Sequence, residues 1–362
     1  VVHTQNPVRL CSAYAVIKQT LCVSEKSSVF VKDPTDLMTN VYGDTVVTTN
    51  VINYYCRLII YWLSTYHTSH ACVCVCVCSG QPECVYTVFK RLGTELALGL
   101  FLNVRAEEQP ELYQEIVQLS TRHWHGLISA PVSLKSPLWS SGFSTALDAR
   151  DKLMDVIKDK LRNDTQGFVG SLSTLPLPDS SCASQHLLLF ISALIPKALA
   201  SLLTSFTLAL AGNEQVRRRA VEDPAYLRGV LLEVQRLWPP FIGGRRIVDQ
   251  DSTLAGFHVP KGHGAIYISH AVHRDPDVFQ QPDDFLPERW SKSGPRNCIG
   301  VELTDIFLKD ACTYLLKHYD WCLDPPSQDL EYKWLPVSRP ANPPTICFTR
   351  PDRSGSDSSD GR

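Results

Sequence analysis

The residue types best suited to chemistry crowd between Glu233 and Gly300. Glu233 and Arg236, in Glu-Val-Gln-Arg, are spaced i, i+3. On a helix this spacing sets both side chains on one face, where an Arg fork can grip a carboxylate through two parallel bonds. Alone the pair means little, because most such pairs are solvated surface pairs. Further on, Gly294-Pro-Arg-Asn-Cys298-Ile-Gly300 opens onto an apolar run of helical period. Backbone N–H groups and the positive end of a helix stabilise a thiolate at such a position. Gly294 permits a tight reversal before Cys298, and Gly300 removes a side chain that would crowd a planar ligand. Arg296 offers a cation to an anionic group. A buried structural Cys beside a loop is the plain alternative for Cys298 taken alone.

Two other constellations promise less. His123 and His125 are spaced i, i+2, so on a helix they point to different sides, and no third ligand follows nearby. They are expected to pack or to line a channel rather than to bind zinc. Cys72, Cys74, Cys76 and Cys78 alternate with Val, a spacing that matches no common zinc pattern. A strand with one Cys face, a thiolate cluster and read-through of a TG dinucleotide repeat all remain open for this block.

The elements that must carry these residues emerge from composition and period. In 362 residues, 35 basic side chains balance 37 acidic ones, so no basic excess points to nucleic acid. A 44% hydrophobic content supplies a large core and excludes global disorder. The 13 Cys are odd in number, and Cys182, Cys312, Cys322 and Cys347 sit singly in apolar surroundings. That pattern suits a reducing environment in which Cys acts as a small hydrophobe. The chain begins at Val1, so the expectation is that it lacks its true start, and no secretory signal or anchor can be read.

Residues 1–84 show no sustained period and form an unassigned segment, possible non-native coding sequence included. Residues 85–350 read as one folded unit, and 351–362, rich in Ser, Asp and Gly, as a disordered tail. Helical spacing predicts helices over 85–103, 110–122 and 144–161, the last a solvated amphipathic helix around Leu147, Leu153, Met154 and Ile157. The apolar stretch Leu187–Ala211 is long enough to span a bilayer. Pro196 and Lys197 interrupt it near its middle, which favours a buried core helix with a local kink. A charged and then amphipathic helix is expected over 213–238, ending at Pro239-Pro240. Short strands are expected around 247–248, 257–259 and 265–268, and a last helix over 300–319.

Taken in order, Glu233-x-x-Arg236, Pro239-Pro240, Pro287-Glu-Arg289-Trp290 and Gly294-x-Arg296-x-Cys298-x-Gly300 closely resemble the cytochrome P-450 family. The resemblance is strong from Glu233 to Lys309 and extends over about Val85 to Phe348. It implies a mainly α fold with small β-sheets, here truncated, and haem b held by a Cys thiolate. By that likeness Cys298 is the axial ligand to the haem iron, and Arg296 and Arg246 meet the propionates. Gly294 and Gly300 belong to the cofactor loop, and Glu233, Arg236 and Arg289 form a structural ion triad. The implied activity is a monooxygenase of lipid metabolism that inserts one oxygen atom into a sterol, retinoid or fatty acid. No nucleotide-binding fingerprint stands out, so electrons would come from an NADPH-dependent flavoprotein reductase. By the same likeness the full-length protein would sit on the endoplasmic reticulum membrane, facing the cytoplasm.

The sequence departs from that pattern in several places. Where the family carries an acid and a Thr as a proton relay, alignment sets Lys197 and Ala198. Thr204 and Ser205, about two turns away, read as helix-packing hydroxyls. Only Ser291, Lys292 and Ser293 separate Trp290 from Gly294, where the family has a longer loop, and the family's Trp/Arg haem contacts have no counterpart in the N-terminal half. Two alternatives to a monooxygenase follow: a haem-thiolate isomerase or dehydratase that needs no relay, and a non-catalytic haem-binding remnant.

Overall fold

From Val85 onward the apolar period builds helices whose buried faces meet in one core. The computed structural model describes residues 8–11, 30–32, 40–41, 81–126, 129–134, 140–172, 180–254, 256–290 and 301–350. The Cys72–Cys78 block, the 351–362 tail, and Gly294, Arg296, Cys298 and Gly300 lie outside the described residues. Before Val85, the chain contributes β1 (Val8–Cys11), β2 (Phe30–Lys32) and β3 (Pro82–Cys84). Helices α1 (Val85–Leu102), α2 (Pro110–His125), α3 (Gly142–Asn163), α4 (Gly167–Leu172) and α5 (Ser180–Leu189) follow. A five-residue π-turn (Phe190–Leu194) joins α5 to α6 (Ile195–Ala211). Next come α7 (Glu214–Glu222) and α8 (Pro224–Leu237).

The expected kink at Pro196 takes a different form. Pro lacks an N–H and crowds the preceding turn. The helix widens to π geometry over Phe190–Leu194, one residue short of Pro196, and then resumes. Ser181–Ala211 therefore runs as one apolar helix, long enough to cross a membrane by length and composition, with most of its surface buried in the fold. The helix expected over 213–238 divides in two. Pro224 opens α8 at its first turn, and the Asp223 side chain accepts from the Ala225 and Tyr226 amides as its cap.

The sheets are small. Strands β4 (Gly243–Val248), β5 (Ser252–Leu254), β6 (Phe257–Val259) and β7 (Gly264–Ile268) precede a short α9 (Ser269–Val272) and a 3-10 turn over Pro287–Trp290. After α10 (Val301–His318) come β8 (Asp320–Leu323), β9 (Tyr332–Lys333), β10 (Arg339–Pro340) and β11 (Thr345–Thr349). One sheet has the order β1-β7-β4-β2, with Arg246 opposite Ala265 and Lys32 on either side. Thus the segment without a period of its own supplies both edge strands of this sheet. Another has the order β3-β11-β8.

The core runs along α1 and α6. Phe101 sits edge-on to Phe168 at 5.4 Å and 5.2 Å from Phe190. Burying each such ring contributes about 1.5–3 kcal/mol. On α3 the Leu153 and Ile157 side chains face this core with Phe143, Ala146 and Ala149, while Leu147 and Met154 are half-buried. Cys312 is fully buried, and burial pushes its thiol well above the ordinary range, as a small hydrophobe requires. Cys322, in contrast, is exposed.

Candidate functional site

Helix α8 presents Glu233 and Arg236 on one buried face. Arg236 Nε donates to Glu233 Oε2 at 2.9 Å, and Nη2 donates to Oε1 at 2.8 Å. The remaining Arg236 N–H groups donate to the carbonyls of His273, Pro282 and Asp284, so all five donors are spent. Arg289 joins through Nε to Glu233 Oε1 at 3.0 Å, and its other nitrogens reach the Gln280 and Gln281 carbonyls. Glu233, Arg236 and Arg289 therefore meet. Two donors that motif reading did not single out complete the set: the Leu286 amide and Trp290 Nε1, each 2.9 Å from the carboxylate. Burial pushes the Glu233 carboxyl upward, but Arg236, the Leu286 amide and Trp290 outweigh it and hold the group below the usual carboxylate range.

This knot fixes the path of the chain. It ties α8 to the segment from His273 to Trp290, which precedes Gly294 by three intervening residues.

Arg246 projects from β4. Its guanidinium lies 5.3 Å from the centre of the Tyr267 ring, Nη1 donates to the Arg245 carbonyl, and Nε is buried without a hydrogen-bond partner among the described residues. A buried, unspent N–H on a fixed cation suits the carboxylate of a bound group.

The π-turn forms a second locus. His123 on α2 is wholly buried, with Nδ1 3.0 Å from the Ser192 hydroxyl and Nε2 2.9 Å from the Val41 carbonyl. Because a carbonyl only accepts, Nε2 carries the proton of the neutral ring. Burial lowers the His123 pKa to about 4, with the Val41 carbonyl opposing and Arg150 reinforcing. The one hydrogen of the Ser192 hydroxyl is shared between the Leu188 carbonyl, 2.7 Å away, and Nδ1, so the turn is held from two sides. His125 is exposed, and the two imidazoles do not converge.

Lys197 follows the π-turn and is only 6% exposed. Its ammonium lies 5.6 Å from the centre of the Trp124 ring. Burial, reinforced by Lys90 and Arg339, lowers its pKa to about 7. Ala198 beside it is half-buried. Close packing holds this part of α6: a Cβ added at Gly93 on α1 would lie 3.0 Å from the Pro196 carbonyl oxygen. Ser205 lies 3.0 Å from the Tyr332 hydroxyl, whereas Thr204 Oγ1 is buried without a partner among the described residues.

Set beside known proteins, residues 180–348 match the sequence profile of the family described as Cytochrome P450. A putative cytochrome P450 120 from Synechocystis sp. is 28% identical over 296 residues, which cover 70% of this chain and 65% of that protein. Cytochrome P450 3A1 of Rattus norvegicus is 36% identical over 118 residues, 28% of this chain and 23% of its own length. The fold matches the retinoic acid-bound cyanobacterial CYP120A1 with a TM-score of 0.78 at 23% identity, covering 95% of this chain and 89% of that one. A zebrafish cytochrome P450 with progesterone matches with a TM-score of 0.79 at 16% identity, covering 97% and 95%. Residues 180–348 thus carry the cytochrome P450 profile, and the mainly α fold with small sheets is the fold of those structures. The family's cofactor is haem. The chain spans under two thirds of the length of the curated relatives named above.

Proposed function

We propose that this chain is the haem-binding part of a monooxygenase that inserts one oxygen atom into a lipophilic small molecule of the sterol, retinoid or fatty-acid type. The observation that carries the reading is the five-donor Glu233 knot, which ends at Trp290, three residues short of the Gly294–Gly300 motif in sequence. In this reading Cys298 supplies the thiolate, with Gly294 and Gly300 leaving room for the planar group. Arg296 and Arg246 pair with its carboxylates, and the unspent Nε of Arg246 fits that role. When bound, a thiolate-ligated haem supplies the redox centre for oxygen chemistry. Glu233, Arg236 and Arg289 are positioning residues: they hold the backbone before the thiolate and touch no substrate. Electrons arrive from an NADPH-dependent flavoprotein reductase, and the full-length protein works at the endoplasmic reticulum membrane. The retinoic acid held by the cyanobacterial structure favours a retinoid among the lipophilic substrates.

The test is a spectrum of the purified chain after haem addition, dithionite reduction and exposure to carbon monoxide. A strongly red-shifted Soret band that disappears in Cys298→Ala supports the reading. No bound haem, or a band unchanged in that variant, overturns it.

One observation favours a second reading. Lys197 and Ala198 stand where the family's acid and Thr would relay protons, and Lys197 is buried with its pKa lowered to about 7. A haem-thiolate isomerase or dehydratase that rearranges a lipid hydroperoxide needs no such relay. Turnover of a lipid hydroperoxide without oxygen or reductase would favour this reading over oxygen insertion.

A further inference from the structure

Three thiols share one face of the β3-β11-β8 sheet. In antiparallel pairing, directly opposed residues point to the same side of the sheet, and residues two apart on a strand do likewise. Cys322 of β8 stands directly opposite Cys347 of β11, while Cys84 of β3 stands opposite Thr345, two residues from Cys347. The other face belongs to the core: Trp321, Ile346 and Phe348 are all buried, and Trp321 and Phe348 rings lie 6.0 Å apart. That buried face locks the register, because a slip of one residue would turn the apolar set outward. Cys322 and Cys347 are thus held opposite one another on the outward face. Cys322 is exposed, Cys347 is half-buried, and both are free thiols.

We propose that Cys322 and Cys347 form an oxidation site that closes to a cross-strand disulfide when the chain meets a hydroperoxide. Directly opposed residues place their Cβ atoms within about 4.5–5.5 Å. A small approach of the strands then reaches the Cβ separation of about 3.5–4.5 Å that a disulfide needs. The exposed Cys322 reacts first, since oxidation follows exposure and thiolate character. Its thiolate attacks the peroxide, the O–O bond breaks, and one oxygen stays on sulfur as a sulfenic acid while water or an alcohol leaves. The Cys347 thiolate then attacks that sulfur, the S–O bond breaks, and a second water leaves. Over both steps two thiols are oxidised to one disulfide and the peroxide is reduced by two electrons. Cys84 is the diagonal neighbour, about 7–8 Å away in such geometry, so it competes poorly for Cys347. The bond would tie β11 to the strand that follows α10. In a reducing compartment the pair stays open, so closure would record oxidation.

The experiment uses the purified full chain, reduced, freed of reductant and treated with hydrogen peroxide. Remaining thiols are then alkylated, and linked peptides are mapped by mass spectrometry. Mapping rather than thiol counting is required because the Cys72–Cys78 run carries thiols of its own. The expected product links the peptides of Cys322 and Cys347 within one molecule and reopens with dithiothreitol. In Cys347→Ser the link vanishes and Cys322 accumulates as sulfenic and higher acids. The oxidised parent chain should unfold at a higher temperature than the reduced one, a shift absent from Cys322→Ser and Cys347→Ser. Separate alkylation of Cys322 and Cys347 after peroxide, or a dominant Cys84–Cys347 link, overturns the proposal. Should either Ser variant fail to fold, the linkage map of the parent chain decides alone.

Discussion

Glu233 and Lys197 are both charged side chains sealed inside the helical core, 0% and 6% exposed, and their surroundings could hardly differ more. The carboxylate accepts five hydrogen bonds from two guanidinium groups, an indole and a backbone amide. The ammonium has an aromatic face and two further cations for company. Taking either charge out of water costs several kcal/mol. At Glu233 the surrounding donors offset that cost and tie α8 to the His273–Trp290 segment. At Lys197 the protein offsets it by giving up the proton, which is why the pKa falls to about 7. Equal burial therefore has opposite meanings: one charge organises the fold, and the other is tolerated by it.

The strongest way to break this comparison is Glu233→Ala. It leaves Arg236, 2% exposed, as an uncompensated buried cation, and the expected loss is about 3–5 kcal/mol in denaturant unfolding. A loss below ~1 kcal/mol would mean that the donors find water or other acceptors and that the knot is ornamental.

The acid limb of stability gives the next largest effect. His123 titrates near 4 in the folded chain against its ordinary 6.5. Between those values the unfolded chain binds more protons, so stability falls as pH drops through that window, by about 3 kcal/mol in full. His123→Gln should flatten this limb in unfolding curves taken from pH 7 to 4. An unchanged slope would remove His123 from the account of the π-turn.

Lys197→Met tests the other side of the comparison. Removing an uncompensated ammonium should stabilise the chain by about 2 kcal/mol at neutral pH, opposite in sign to Glu233→Ala. The pH dependence carries a signature. Between about 7, the folded value, and the ordinary 10.5, the unfolded chain binds more protons. Stability of the parent therefore rises with pH across that range, and the rise should be absent from Lys197→Met. Destabilisation by this variant would mean that the Trp124 contact outweighs desolvation.

The two loci also differ in how far the sequence reveals them. Glu233-x-x-Arg236 and Pro-Glu-Arg289-Trp290 are short patterns whose order carries the resemblance to the cytochrome P-450 family, and that resemblance implies the ion triad where spacing alone gives only an ordinary i, i+3 pair. The helices from Val85 to His125 are equally legible, because local apolar period and burial agree there. His123 and Ser192 are 69 residues apart, and nothing local links an imidazole on one helix with a hydroxyl on another. Pro196 signals an interruption, but whether a helix kinks or widens into a π-turn is decided by what packs around it, here α1 at Gly93. Strands β1 and β2 were illegible for the same reason: their pairing with β7 and β4 is set by partners more than 200 residues away.

The smallest predicted effect sharpens the comparison most. Trp290→Phe removes one donor from Glu233 Oε2 and leaves Arg236 Nε still bonded to that oxygen. If the knot works by compensation, four donors continue to hold the charge. The loss should then be near the ~1.5 kcal/mol expected for one hydrogen bond to a charged group, well short of Glu233→Ala. Denaturant unfolding of the two variants side by side reads the ratio. A Trp290→Phe loss as large as that of Glu233→Ala would mean that the indole positions the carboxylate rather than merely solvating it. The knot would then be an all-or-none lock, and its contrast with Lys197 would be one of geometry more than of charge.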